Sequence, residues 1–241
     1  MKTSNLLLLI AALVLLGSLT AYNMALRTEY KRGTYKDPLR EYSYLNFKDF
    51  DEVAVPSASA GGVKIVAGPF GVRLSPGAAK YVHVSQQGRR LVVSATFPDQ
   101  WHWLPGDAVV ISCPRLATLS ADAEYTADGK RISDTRLEPH YRVLVQGFGQ
   151  DTMRVQANRA SRIELATNRL GYLDAQTGRT PGSRTALLLN DDNHIGAASL
   201  RCDNRARLEL NGLRIPSLRT QLGDSVELSL RGQALGPLVQ R

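Results

Sequence analysis

An apolar spacing that recurs along the chain is the strongest constraint on its fold. Around Leu165, apolar residues fall at offsets −2, 0, +5, +8 and +10, giving Ile163, Leu165, Leu170, Leu173 and Ala175. The same offsets around Ile111 give Val109, Ile111, Leu116, Leu119 and Ala121. Around Leu210 they give Leu208, Leu210, Ile215, Leu218 and Thr220. Leu187, Leu189, Ile195, Ala198 and Leu200 fit with one residue inserted after Leu189, and Val143, Val145, Met153 and Val155 fit in part. Leu228 and Leu230 before Gly232 close the series, and the steps from Val145 onward are 20, 24, 21 and 20 residues. Such a period signals stacked repeats.

Spacings of two place side chains on one face of a strand, whereas jumps of five and three require a bend. Asn168, Gly171, Asn211 and Gly212 lie at those bends, where turn conformations are needed. One rung is then two short strands joined at a corner, and rungs bury their apolar face only by stacking about 4.8 Å apart. The spacing predicts an all-β chain built as a parallel β-solenoid, with an irregular β N-terminal part. An antiparallel sandwich of regular hairpins is the competing architecture.

Residues Thr3–Leu26 carry no charge and contain the apolar run Leu6–Leu16. As a helix this stretch spans about 36 Å, enough for an apolar bilayer core of about 30 Å. The expected organisation is a transmembrane signal-anchor over 1–27, a juxtamembrane linker over 28–46 and the β-solenoid over 47–241. A cleaved signal peptide is the alternative, though no clean small-x-small site follows the run. Arg27, Lys31, Arg32, Lys36 and Arg40 outnumber the single Lys2 ahead of the segment, which argues for a cytoplasmic C-terminal part. An export-type segment before a solenoid argues instead for a single-pass protein of the bacterial cell membrane with its C-terminal domain in the periplasm.

Between Phe47 and Ala95 the chain alternates in short runs broken at Ser75-Pro76-Gly77 and Gln87-Gly88, which reads as hairpins that begin or cap the stack. Trp101 and Trp103 suit a lid over a terminal rung or a sugar-stacking platform. Tyr125–His140 interrupts the repeat with mixed charges and reads as an excursion loop, a common place for function in solenoids. The tail Gln233–Arg241 would close the other end.

The formal net charge is +8, and no Lys follows Lys130. Arg154, Arg159, Arg162, Arg169, Arg201, Arg205, Arg207, Arg214, Arg219 and Arg231 are spread over the repeats. They form either a solvated face that blunts sheet edges or a surface for polyanions. Nucleic acid is not an expected partner, because no recognition motif accompanies the charge. The two cysteines, Cys113 and Cys202, fall about three rungs apart, roughly 14 Å, beyond disulfide reach.

Chemistry is sparse. His83, His102, His140 and His194 lack metal-ligand spacing. Asp191-Asp192-Asn193-His194 is a dense polar corner, open to a cation or to solvent. Glu164 and Glu209 hold equivalent repeat positions about 9–10 Å apart, at the outer limit for a glycosidase pair. Arg162 and Arg207 stand two residues before them, which favours ion pairing. No catalytic, cofactor-binding or metal-binding residue is assigned, and no cofactor is implied. The expected role is a membrane-anchored binding, adhesion or envelope scaffold, not an enzyme, partnered by the membrane through its helix and by an envelope protein or glycan. A polysaccharide-active β-helix enzyme is the alternative.

The run Phe47-Lys-Asp-Phe50-Asp-Glu-Val53, followed by Gly71-Val-Arg-Leu74, Tyr81-Val-His-Val84 and Leu91-Val-Val-Ser-Ala95, resembles the opening of the "putative auto-transporter adhesin, head GIN domain" family. Ile111-Ser-Cys-Pro114-Arg-Leu116-Ala-Thr-Leu119 is similar to its I-x-x-P-x-L-x-x-L step. The resemblance covers about residues 47–232. It implies a repetitive β-solenoid in exported or membrane-anchored bacterial proteins of Bacteroidetes type, without assigned catalytic residues. The glycine-rich turns of that family are replaced here by turns such as Ala157-Asn-Arg-Ala160.

Overall fold

The structure, a computed structural model, describes residues 3–33, 37–99 and 104–235. The chain divides into two units, Met1–Tyr42 and Ser43–Arg241.

The first unit is built on helix α1, Thr3–Arg32. Its interior has no Pro and is rich in Leu and Ala, which favour the helix. Gly33, at φ 69°, ends it and donates its N–H to the carbonyls of Glu29 and Tyr30, a left-handed C-terminal cap. Leucines are exposed all around the helix, and none of the window Asn5–Lys31 is buried. A helix that is apolar on every side needs a lipid environment or removal as a signal sequence, and this one fits both.

The second unit is mainly β. Among the described residues its first sheet has nine strands, in the order β1 (Ser43–Leu45), β4 (Gly71–Leu74), β7 (Asp107–Cys113), β3 (Gly62–Ala67), β11 (Val143–Gln146), β13 (Arg162–Ala166), β15 (Ala186–Asn190), β17 (Arg207–Asn211) and β19 (Glu227–Arg231). The second has ten, in the order β10 (Lys130–Ser133), β9 (Glu124–Ala127), β6 (Arg90–Phe97), β2 (Glu52–Val55), β8 (Thr118–Ala121), β12 (Gly149–Ala157), β14 (Arg169–Thr177), β16 (His194–Cys202) and β18 (Ser217–Leu222). β5 (Val82–Gln87) pairs with β6 outside this order.

From β11 and β8 onward every pairing is parallel and in register. Val145, Leu165, Leu189, Leu210 and Leu230 are successive partners in one inner row. Leu165 and Leu189 are fully buried, and Leu210 is 4% exposed. The row is an apolar ladder in which every leucine before Leu230 is covered by the strands on both sides, worth roughly 1.5–3 kcal/mol per buried side chain.

The expectation of a parallel β-solenoid preceded by an irregular, hairpin-like N-terminal part is corrected in three places. First, the sheets are mixed: β1–β4, β4–β7, β5–β6 and β9–β10 pair antiparallel. For β9–β10 the cause is turn length. Two residues, Asp128 (φ 51°) and Gly129 (φ 67°), join β9 to β10, and a two-residue turn with both φ positive can only return the chain antiparallel. Tyr125–His140 therefore begins as a hairpin instead of a free loop.

Second, the chain enters the stack in its middle. β3 lies between β7 and β11, with Ile65 paired to both Ile111 and Val145. β2 likewise lies between β6 and β8. The rung around Ile111 is thus not next to that around Val145 in the first sheet. Third, the second strand of the copy around Leu210 is not buried: Leu218 is 39% exposed and all of β18 is open, whereas Leu208 and Leu210 are buried.

The corners differ from expectation too. Asn168 supplies its side chain to the interior, while its neighbour Thr167 takes the positive φ of 56°. The buried Asn168 amide accepts the N–H of Phe148 (3.0 Å) and donates to the carbonyl of Val145 (3.0 Å) and to Oδ1 of Asn193 (3.0 Å). Asn193 repeats the device one rung on, donating to the carbonyls of Leu165 (2.7 Å) and Asn190 (2.9 Å). Each amide thus satisfies corner backbone groups that a tight stack would strand away from water.

Cys113 and Cys202 are free and buried, in different sheets. Burial, with the charge of Asp51 adding, pushes the Cys113 thiol up to about 12, and burial raises that of Cys202. Trp101 and Trp103 lie outside the described residues, as do 236–241 of the tail.

Candidate binding surface

Some of the arginines gather on one flank, where strands of the first sheet begin. Arg162 opens β13 and Arg207 opens β17, and both align with Ala186 at the start of β15 between them. Two rung steps of about 4.8 Å thus separate their backbones. One corner earlier, the N–H of Arg184 is bonded to the carbonyl of Arg159, and that of Arg205 to Ser183. Arg184 and Arg205 therefore sit on consecutive rungs. The segment after β10 passes beside them and contributes Arg136, Leu137 and Pro139. Together these side chains line a groove of about 510 Å³.

Its charge balance is one-sided. Among the described residues five arginines line it against one carboxylate, Glu227. Glu227 is held by Arg207 at 2.8 Å, and Arg207 also lies 4.0 Å from Glu209. Arg136 lies 3.9 Å from Glu138. Among the described residues Arg162, Arg184 and Arg205 form no ion pair, and the buried Nε of Arg162 has no hydrogen-bond partner. A buried donor without an acceptor costs about 1–3 kcal/mol, so the Arg162 side chain is not held by a partner of its own there. Guanidinium groups bind carboxylates, sulfates and phosphates in two-pronged fashion.

A second, open groove of about 930 Å³ runs along the corner that carries Asn193. Gly171 and Gly196 form part of its wall because successive rungs approach too closely for a side chain. A Cβ on Gly171 would lie 2.8 Å from the carbonyl oxygen of Asp151. Asp151, Asp191, Arg169, His194 and Arg214 line the groove in a mixture of signs, giving no preference for one charge.

The residues singled out from the sequence are not brought into one catalytic arrangement. Glu164 accepts from Arg142 (2.9 Å) and Asn190 (3.0 Å), and Glu209 is beside Arg207. The expected Arg162–Glu164 pair gives way to Arg142–Glu164, a partner from the adjacent rung. Leu188 lies in register between Glu164 and Glu209. In the Asp191–His194 corner, Asp191 and Asp192 are exposed while the Asn193 amide is consumed by backbone. Among the described residues no group of three His, Cys, Asp or Glu side chains converges as a metal site. Arg184 is not reached by the spacing argument. It lies in the insertion between β14 and β15 that lengthens one step to 24 residues, and only the rung alignment reveals its neighbour Arg205.

No protein-family model matches the chain, and no curated protein matches its sequence. Similar solved structures include a protein from Bacteroides fragilis described as a putative adhesin, with 11% identity and a TM-score of 0.46, covering 79% of this chain and 96% of that one. A putative adhesin from Parabacteroides distasonis shows 14% identity and a TM-score of 0.46, covering 79% and 81%. A protein of the same organism described as a putative lipid binding protein shows 8% identity and a TM-score of 0.34, covering 79% and 96%.

Proposed function

We propose that the chain is a single-pass, membrane-anchored β-solenoid held outside the cytoplasm, in the periplasm of a bacterial cell, where it serves as a binding or adhesion scaffold. In this reading 1–27 is the anchor, 28–46 the linker, whose Ser43–Leu45 joins the first sheet as β1, and 47–241 the scaffold. The partner is an acidic envelope glycan, bound on the arginine flank. We place the chain with the head GIN domain family on the residues that resemble it, several of which, Phe50, Val53 and Val72 among them, are buried strand or corner positions. The parallel, in-register rungs from β11 to β19 favour the solenoid description.

One observation carries the functional reading: arginines on neighbouring rungs face a shared groove without carboxylates to neutralise most of them. A solvated face would gain by interleaving acids, as the pair Arg154–Asp174 (3.0 Å) does on the second sheet. The rung repeat spaces the cations regularly, which suits a polymer with regularly spaced anions. A glycan is favoured over single-stranded nucleic acid because no aromatic ring lines the groove among the described residues to stack a base.

The test is a titration of the full chain in lipid nanodiscs with polygalacturonate and with neutral dextran. Polygalacturonate is expected to bind, dextran not. The double substitution Arg184→Ser/Arg205→Ser should weaken binding at least about tenfold, the equivalent of about 1.4 kcal/mol. Equal affinity for the two polymers, or an unchanged affinity in the double variant, would count against the arginine flank.

A further inference from the structure

The end of the stack at β18 and β19 is open. These are the last strands of their sheets, so one ladder edge of each is unpaired among the described residues. The inner rows that end there are cut off. Leu187, Leu208 and Leu228 are in-register partners with exposures of 0%, 0% and 44%. Leu173, Ala198 and Leu218 run from 0% through 2% to 39%. Thr177, Cys202 and Leu222 run from 0% and 0% to 40%. A 3-10 turn, Gly232–Leu235, packs on β17 and β19 through Ala234 but leaves Leu228 uncovered. Two adjacent free edges over an apolar end form a template for adding strands.

We propose that the occupant is a second copy of this chain, docked end to end about a two-fold axis. Charge complementarity favours this occupant. β19 reads Glu227-Leu-Ser-Leu-Arg231. Paired antiparallel with its own copy about Ser229, it sets Glu227 opposite the partner's Arg231 and Leu228 opposite the partner's Leu230. β18 reads Ser217-Leu-Arg-Thr-Gln-Leu222. Centred on Thr220, it sets Leu218 opposite the partner's Leu222. In both strands inward residues meet inward residues, so each sheet continues into its copy with its faces preserved. An axis perpendicular to both sheets reverses both strands at once, and the contact is isologous, which closes the assembly as a dimer. A peptide of unrelated sequence would not match Glu227 and Arg231 at both ends of the strand.

The experiment uses single cysteines in the full chain, in detergent micelles under mild oxidant. The native Cys113 and Cys202 are buried and stay silent. Ser229→Cys lies on the axis and should give a disulfide-linked dimer as the main species. Arg231→Cys lies two residues off the axis, so its copies are about 14 Å apart along the strands, beyond disulfide reach. Its cross-linking should be at least tenfold lower. Leu228→Asp added to Ser229→Cys should abolish the dimer while leaving the β circular dichroism intact. A monomeric Ser229→Cys chain overturns the proposal, as do equal yields at 229 and 231, which indicate random collision. Cross-linking of Ser229→Cys only after residues 236–241 are removed also overturns it, because the chain's own end then holds the edge.

Discussion

Replacing Asn168 by alanine is expected to destabilise the β unit by about 2–5 kcal/mol. The side chain is fully buried and makes three hydrogen bonds, of which two reach backbone groups of the preceding rung: the N–H of Phe148 and the carbonyl of Val145. Removing it leaves both groups, and one acceptor position on Asn193, without their protein partner in the buried corner. Each stranded buried group costs about 1–3 kcal/mol, and the missing amide volume adds a cavity term. Against a total stability of about 5–15 kcal/mol this is a large fraction. Urea unfolding of the full chain in detergent, followed by circular dichroism, measures it. Asp192→Ala, one corner away and exposed, should stay within about 0.5 kcal/mol of the parent. A cost under about 1 kcal/mol for Asn168→Ala would mean that the amide ladder does not hold the corner.

Gly178→Ala is expected to cost at least as much, through sterics. Gly178 follows β14 at φ 74°, and a Cβ built there lies 2.1 Å from the carbonyl oxygen of Asp203 on the next rung. That rung cannot back away freely, because the N–H of Asp203 is bonded to Thr177 at 3.0 Å. The left-handed conformation costs about 1–2 kcal/mol for a residue with a Cβ, and overpacking adds about 1–3 kcal/mol. Gly182→Ala separates the two contributions. Its φ is 80°, but nothing lies within 4 Å of the added carbon. It should lose only the conformational part, about 1–2 kcal/mol. Equal losses at 178 and 182 in the same unfolding assay would argue against the close approach of the two rungs.

Much of the interior was readable from spacing. The offsets that select Ile163, Leu165, Leu170, Leu173 and Ala175 select side chains with exposures of 4% or less. The reason is physical: an inner row needs an apolar residue at the same place in every rung, and that need leaves a period in the chain. Asn168 was legible as a corner but not as a buried one, since a turn-forming Asn and a backbone-satisfying Asn look alike in sequence. The place of β2 and β3 was not legible. Periodicity orders rungs along the chain, whereas these strands are flanked by segments that come later, and nothing in Gly62–Ala67 names its neighbours. The open end at Leu218 was hidden for a related reason. The last rung carries the same pattern as the others and differs only in that, among the described residues, no further strand pairs with it. The arginine flank was half legible: Arg162, Arg205 and Arg207 stood among many spread arginines, and only the alignment of corners gathered them with Arg184 and Arg136.

The groove, the amide ladder and the free edges all depend on the order in which strands are laid against one another, and β3 is where that order departs most from the order of synthesis. Hydrogen exchange of the native full chain reads this directly, because amides deep in a stack open only with the whole unit while edge amides open locally. The backbone amides of β3 are expected among the slowest, together with those of β11 and β13, and at least about a hundredfold slower than those of the edge strands β1 and β10. Exchange of β3 as fast as that of β1 would place it at the end of the sheet and contradict the strand order on which the rest is built.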